Sequence, residues 1–255
     1  MTHYFRLGLA AFCMLGLVRL ATAAPEGASE TRRLDPQVVR VKVEGVVDLR
    51  LRQGSPASLV IHGDPRWVAK MTAEQSGDTV VLGSDMDGVR LGRQAPVRAE
   101  MVLPNLREVS SESVGTIEIT GFRGDEIELS LDGAGSMNVN VQYRLISASL
   151  GGVGSMKLGG VNSEGIVLDL QGAGYVSLAG RSKWLKAELG GLGGLDARGF
   201  TADSVTLELS GLGNATVTAH QSANLNLSGM GSVTVYGKPL NRRVSVDGLG
   251  KVSWK

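Results

Sequence analysis

The sequence is short of the residues from which most active sites are made. Cysteine occurs once, at Cys13, and histidine only at His3, His62 and His220. No His-x-x-x-His pair, paired cysteine or Gly-x-Ser-x-Gly elbow is present, so a structural zinc site and a Ser-His-Asp triad both lack their parts. Aromatic side chains are few, with four Phe, four Tyr and three Trp in 255 residues. Neither sign of charge dominates: 26 basic residues stand against 25 acidic ones. Such balance gives no electrostatic reason to expect nucleic acid or an anionic membrane surface as a partner.

Long apolar runs are also missing. The longest, residues 7–18, is about 12 residues, short of the 20 or so that a helical span needs. It follows Arg6 and precedes Ala21-Thr22-Ala23, the order of a secretory signal: a basic start, an apolar core and a small-x-small cleavage site. Residues 1–23 are therefore expected to be a signal peptide, cleaved after Ala23, with no transmembrane segment afterwards. Cys13, preceded by Phe12, is placed too early for a lipoprotein. Cleavage would remove the only cysteine, so the exported chain relies on neither a disulfide nor thiol chemistry. Arg6 and Arg19 are the only charges in the leader, so the rest carries 24 basic and 25 acidic residues.

Glycine is abundant, with 36 copies, about twice the usual share. A Gly-x-Gly motif returns seven times: Gly133/Gly135, Gly152/Gly154, Gly172/Gly174, Gly191/Gly193, Gly211/Gly213, Gly229/Gly231 and Gly248/Gly250. The steps are 19, 20, 19, 20, 18 and 19 residues. A period this steady marks a stacked repeat. Two and four residues before each first glycine the side chain is apolar, as at Leu168 and Leu170; four and six residues after it, as at Val176 and Leu178, the alternation resumes. Period-two alternation denotes strands with one buried face.

Every repeat has the same polarity, which a parallel coil explains and an antiparallel meander does not. The expected fold is all-β, a single-stranded parallel β-helix of about eight or more coils, including a degenerate turn at Ser113-Val114-Gly115. The glycine pairs are read as corners, chosen for positive φ and for tight stacking. At those corners the central side chain (Val153, Leu192, Leu212, Met230, Leu249) is expected to swing back inside. About eight further residues return the chain.

Residues 24–36 are read as a flexible lead-in and 37–255 as one β-helix domain. Within it, 37–110 form irregular first coils and a cap, and 111–255 the regular repeats. Strand signals in the cap are Val39/Val41/Val43, Val47/Leu49/Leu51, and segments 58–61, 79–82 and 97–103; segment 83–93 is expected to be a loop.

Other glycine motifs fit poorly. A dinucleotide fingerprint needs a helix after the glycines, where strands follow here. The calcium-binding nonapeptide needs Asp where this chain has Met156 and Leu195. Asp85-Met86-Asp87-Gly88 lacks the remaining ligands of an EF-hand loop. No metal or cofactor is called for. The best polar constellation lies three residues before the first glycine, on the wet phase. There Asp169, Glu188 and Glu208 are expected to form a carboxylate ladder, with Lys186 as the compensating cation. Elsewhere the outward positions read as a polar plain of Ser, Thr, Asn and Lys without an aromatic sugar platform.

Three stretches together carry a family likeness: Val41-Lys42-Val43-Glu44-Gly45, Val102-Leu103-Pro104-Asn105-Leu106, and turns such as Ser210-Gly211-Leu212-Gly213 and Ser228-Gly229-Met230-Gly231. Over residues 38–255 the chain resembles the autotransporter adhesin head GIN domain family. The resemblance implies an extracytoplasmic parallel β-helix with a role in adhesion or envelope interactions, and it carries over no catalytic residue. Asp132, Gly151, Gln171, Gly190 and Asp247 replace the serine before the glycine pair.

The functional expectation is an exported, non-enzymatic binding or structural module, periplasmic or at the cell surface, presenting flat β faces to an envelope protein or glycan. One alternative is a carbohydrate-active lyase or hydrolase that uses the carboxylate ladder. Another is a scaffold that associates end to end through an open coil at Val252-Ser253-Trp254-Lys255.

Overall fold

The computed structural model describes residues 27–84 and 97–255. The expected signal peptide, the calcium-like segment 85–88 and most of the expected loop 83–93 lie outside these residues; Gly83 and Ser84 end a strand. The first part of the chain contains β1 (Ala28–Arg33), β2 (Arg40–Val43), β3 (Asp48–Gln53), β4 (Ser58–Gly63), a one-turn helix α1 (Pro65–Val68), β5 (Met71–Ser76), β6 (Thr79–Ser84), β7 (Arg98–Leu103) and β8 (Glu108–Ser111). Then come six strands that each span most of a repeat: β9 (Thr116–Leu131), β10 (Ser136–Leu150), β11 (Val153–Leu170), β12 (Ala173–Leu189), β13 (Leu192–Leu209) and β14 (Leu212–Leu227). The last coil but one continues into β15 (Ser232–Tyr236), and the final coil holds β16 (Asn241–Val246) and β17 (Lys251–Trp254).

From β8 onward every ladder is parallel and joins each coil to the next, as in Ala148↔Leu168, Leu168↔Ala187 and Ala187↔Leu207. The result is a parallel β-solenoid of about seven turns, a slightly smaller number than the repeat pattern predicts. At the usual strand spacing the stack is roughly 30–40 Å tall.

The inward positions form continuous columns. Leu131, Leu150, Leu170, Leu189, Leu209 and Leu227 stand one above another, each no more than 4 % exposed. The returning side is also strand and also contributes to the core, through Phe122, Val141, Val161 and Phe200. Midway along the long strands the ladder register slips, for example between Val139 and Leu145 and between Leu158 and Val161. Positive φ belongs to these bends, at Gly121 (83°), Gly160 (64°) and Gly180 (129°).

The glycine-pair corners contain no positive φ, contrary to expectation. Gly133, Gly135, Gly152, Gly154, Gly172, Gly174 and Gly191 all lie outside the left-handed region, as do Gly193, Gly211, Gly213, Gly229, Gly231, Gly248 and Gly250. Nor is the second glycine of a pair always a turn residue. Gly154, Gly174, Gly193 and Gly213 already belong to β11, β12, β13 and β14, whereas Gly135 lies in the bend that leads into β10. What demands glycine there is space. A Cβ on Gly152, Gly172 or Gly191 would run into the carbonyl oxygen of the corner glycine one coil below. One on Gly135, Gly154 or Gly193 would meet the carbonyl oxygens of Gly115, Gly135 and Gly174 in turn. On Gly174 or Gly231 it would also meet core leucines, Leu150 and Leu209. The two glycines of each pair therefore occupy the inward phase, and the residue between them keeps the outward phase.

The cap departs from sequence order. The coil made by β2 and β3 is sandwiched: β2 pairs in parallel with both β6 and β8, and β3 with both β7 and β9. The chain thus starts one coil in, runs outward, and returns beneath its own start. Beyond that coil the parallel ladder gives way to antiparallel pairs, β5 with β6, β4 with β7, and β1 with β4. The lead-in is not irregular throughout, because β1 covers this edge over Ala28–Arg33. Antiparallel edge strands end the coil at this pole and protect its backbone.

Candidate binding surface

Three features stand out on the solenoid surface. The first is the corner column. Val114, Val153, Leu192, Leu212, Met230 and Leu249 are 48, 64, 60, 49, 60 and 83 % exposed, with Ala134 and Ala173 exposed between them. The expectation that Val153, Leu192, Leu212, Met230 and Leu249 turn inward is corrected: the inner side of the corner has no volume for them, and alternation carries them out. Stacking then lines them up, Val153 above Ala173 at one end and Leu192 above Leu212 at the other. A shallow hollow of about 460 Å³ lies along Leu192, Leu212, Met230 and Leu249. Its other lining residues are glycine and serine, so this part of the ridge is apolar and lined by small residues, while the exposed Asp132 and Asp247 stand beside the corners at Gly133 and Gly248.

The second feature is the carboxylate ladder. Asp169 is the register partner of Glu188, and Glu188 of Glu208. Lys186 Nζ lies 2.7 Å from Glu188 Oε1. That hydrogen bond to Glu188 holds the Lys186 ammonium above the ordinary lysine range. Gln171 Nε2 donates to Asp169 Oδ1 at 2.7 Å. Beside the ladder is a hollow of only about 100 Å³, and Lys186 sits on the same face as the acids rather than opposite them. Among the described residues no cluster of His, Cys, Asp and Glu has the geometry to hold a metal ion.

The third feature is a groove of about 1050 Å³ on the same sheet face, nearer the cap. One wall is the turn 104–107. Tyr143 fixes it: its hydroxyl donates to the Leu106 carbonyl at 2.6 Å, and burial pushes the phenol up to about 12. On the floor, Arg144 is shared among Asp125, Glu126 and Glu164 at 3.7, 3.5 and 3.2 Å. At the far end is Trp184, whose six-membered ring lies where a side chain on Gly165 would project. Gly165 is its register partner in the preceding coil, so the missing Cβ makes room for the indole.

Trp184 corrects the expectation of a surface without an aromatic platform, and Tyr175, 49 % exposed, is a second departure from it. The sequence held the signal: Trp184 stands seven residues before Gly191, on the same outward phase as the ladder. The repeat also places Gly165, seven residues before Gly172, beneath it, but nothing in the one-dimensional pattern shows the indole seated over that glycine, or that the turn 104–107 makes a wall.

A family model described as "Putative auto-transporter adhesin, head GIN domain" matches residues 39–239. The chain belongs to that family. Solved structures show the same fold. A Bacteroides fragilis protein described as a putative adhesin superposes with a TM-score of 0.70 at 18 % identity, over 91 % of this chain and 98 % of its own. A Parabacteroides distasonis putative adhesin gives 0.81 at 17 %, over 90 and 97 %. A second protein of that organism, described as a putative lipid binding protein, gives 0.76 at 16 %, over 88 and 96 %. No curated protein matches the sequence. In this head GIN domain protein, the segment Val102-Leu103-Pro104-Asn105-Leu106 is the end of β7 and the turn that Tyr143 holds. The Ser-Gly-x-Gly turns form the corner that carries the ridge.

Proposed function

We propose that this chain is an exported, non-enzymatic binding module of the cell envelope whose contact surface is the apolar ridge. The observation that carries the reading is the column of exposed Val, Leu and Met side chains running the height of the stack. Large apolar side chains in a continuous exposed strip mark an interaction site. They offer a polyhydroxyl chain no hydrogen bonds, so the partner they suit is an apolar surface on another envelope protein. Met230, flexible and polarisable, adapts to such a surface.

Membership of an adhesin family supports binding in place of catalysis. So does the small size of the hollow beside Glu188 and Glu208, about 100 Å³, with Lys186 on the acids' own face and paired to Glu188. Export rests on the leader-like residues 1–23, and terminal sequencing of protein from the envelope fraction should begin at Ala24. Among the described residues no helix is long and apolar enough to cross a membrane.

The test compares envelope proteins cross-linked by the native protein with those cross-linked by L192S/L212S/M230S and by E188Q/E208Q. A partner retained by the native and ladder variants but lost with the ridge variant is expected. Partners captured equally by all three would remove the ridge from the account.

A second reading has its own observation. Among the described residues, β16 and β17 of the last coil each pair on one edge only, with β14 and β15, and Val244 and Val246 are 41 and 42 % exposed. Association of two copies through that edge is measured by light scattering against concentration; a constant monomer mass discards it.

A further inference from the structure

We propose that the groove between the turn 104–107 and Trp184 is a binding subsite for a neutral oligosaccharide. It is separate from the ridge and does not depend on it.

Size and shape come first. At about 1050 Å³ the groove is at the upper end of small-ligand sites and has room for several pyranose rings. It runs along the stack, from Arg40 and Glu108 past Glu128, Ser147 and Val167 in successive coils, with Trp184 beside the end of that row. Five strand spacings, from the coil of Arg40 to that of Trp184, make it roughly 24 Å long. The spacing between coils is close to the length of one pyranose unit, so successive rings of a chain laid along the groove meet equivalent positions of successive coils.

The chemistry fits the same ligand. The face of an aromatic ring is electron-rich, and the C–H face of a pyranose packs against it. Trp184 presents such a face: its inner side rests over Gly165, it is 37 % exposed, and the 37 % exposed Val167 lies on the neighbouring coil. Around the groove, carboxylates accept from sugar hydroxyls and guanidiniums donate to sugar oxygens. Arg144 donates to Glu164 at 3.2 Å and lies within 3.7 Å of Asp125 and Glu126, so a guanidinium and three carboxylates stand together on the floor. Tyr143 holds the wall.

Charge decides between neutral and acidic chains. Four arginines line the groove (Arg40, Arg107, Arg123 and Arg144) together with four acids (Glu108, Asp125, Glu126 and Glu128). With no excess of either sign, the groove gains nothing from a charged sugar.

The experiment titrates the purified protein with cellohexaose, mannohexaose, chitohexaose and hexagalacturonate, following tryptophan fluorescence and calorimetric heat. At least one neutral hexasaccharide should bind, with Kd changing less than about twofold between low and moderate salt. W184A should weaken it at least about tenfold. R107Q/R123Q, at two exposed positions, should weaken it by a smaller factor with the fold intact by circular dichroism. L192S/L212S/M230S should leave it unchanged, which separates this subsite from the ridge. No binding by any neutral chain at about 5 mM would overturn the proposal. So would binding indifferent to W184A, or hexagalacturonate binding at least about tenfold tighter than every neutral chain.

Discussion

Tyr143 joins packing to surface architecture through one hydroxyl. The ring is 3 % exposed, rests against Gly124 of the coil below, and its OH reaches the Leu106 carbonyl at 2.6 Å. Removing that OH leaves the carbonyl without its donor, so Tyr143→Phe should cost about 1–2 kcal/mol at neutral pH. A pH signature accompanies the loss. Burial raises the folded phenol from 10.0 to about 12. The folded state therefore keeps a proton that the unfolded state releases, and this contribution is fully present below pH 10. It falls away as pH rises from 10 towards about 12. Melting temperatures of native protein and Tyr143→Phe, measured across that window, should converge as the pH rises. A constant gap would mean the folded phenol is not raised by burial, and equal melting temperatures at neutral pH would mean the hydroxyl does not tie down the turn.

At the scale of one coil, the corner glycines and the ridge are two results of the same alternation. Inward positions at the corner accept only glycine because the coil below is already in contact. Outward positions accept anything, and this chain fills them with Val, Leu, Met and Ala. Gly191→Ala pushes a methyl against the carbonyls of Gln171 and Gly172 and should destabilise by about 1–3 kcal/mol. In a chain of this size that lowers Tm by several degrees, roughly 2–4 °C per kcal/mol. Ala173→Ser, at an exposed corner position, should stay within about 0.5 kcal/mol. Equal melting temperatures for the two variants would contradict the stacked corner.

For the whole molecule, stability is a sum over neighbouring coils, because each long strand contacts chiefly the strands above and below it. The two poles differ. At the cap, antiparallel strands cover the edge. At the other pole Arg242 stacks on Trp254, 4.5 Å from the ring centre, while the backbone edges of β16 and β17 stay unpaired among the described residues. Native-state hydrogen exchange should therefore show amides of β16 and β17 opening first, at a small fraction of the global free energy, with β11 to β13 exchanging last. Uniform protection from β9 to β17 would indicate an all-or-none stack. Association through the open edge would reveal itself as protection of β16 that grows with protein concentration.

The parallel solenoid, its columns and the ladder Asp169–Glu188–Glu208 were legible in one dimension. A fixed period with fixed polarity determines which residues must lie above one another, whatever the details of the corner. Three things were not legible, because a period names neighbours without giving the room between them. The coil of β2 and β3 lies between later strands because the irregular cap has no repeat to fix its order. The ridge faces outward because the volume inside the corner is already taken by the neighbouring coil's backbone and by leucines such as Leu150 and Leu209. Trp184 becomes a platform because Gly165, 19 residues earlier, leaves the space beneath it, and the groove exists because the turn at Leu106 is tied to Tyr143. Periodicity assigns neighbours; only packing in three dimensions decides which of them leave room.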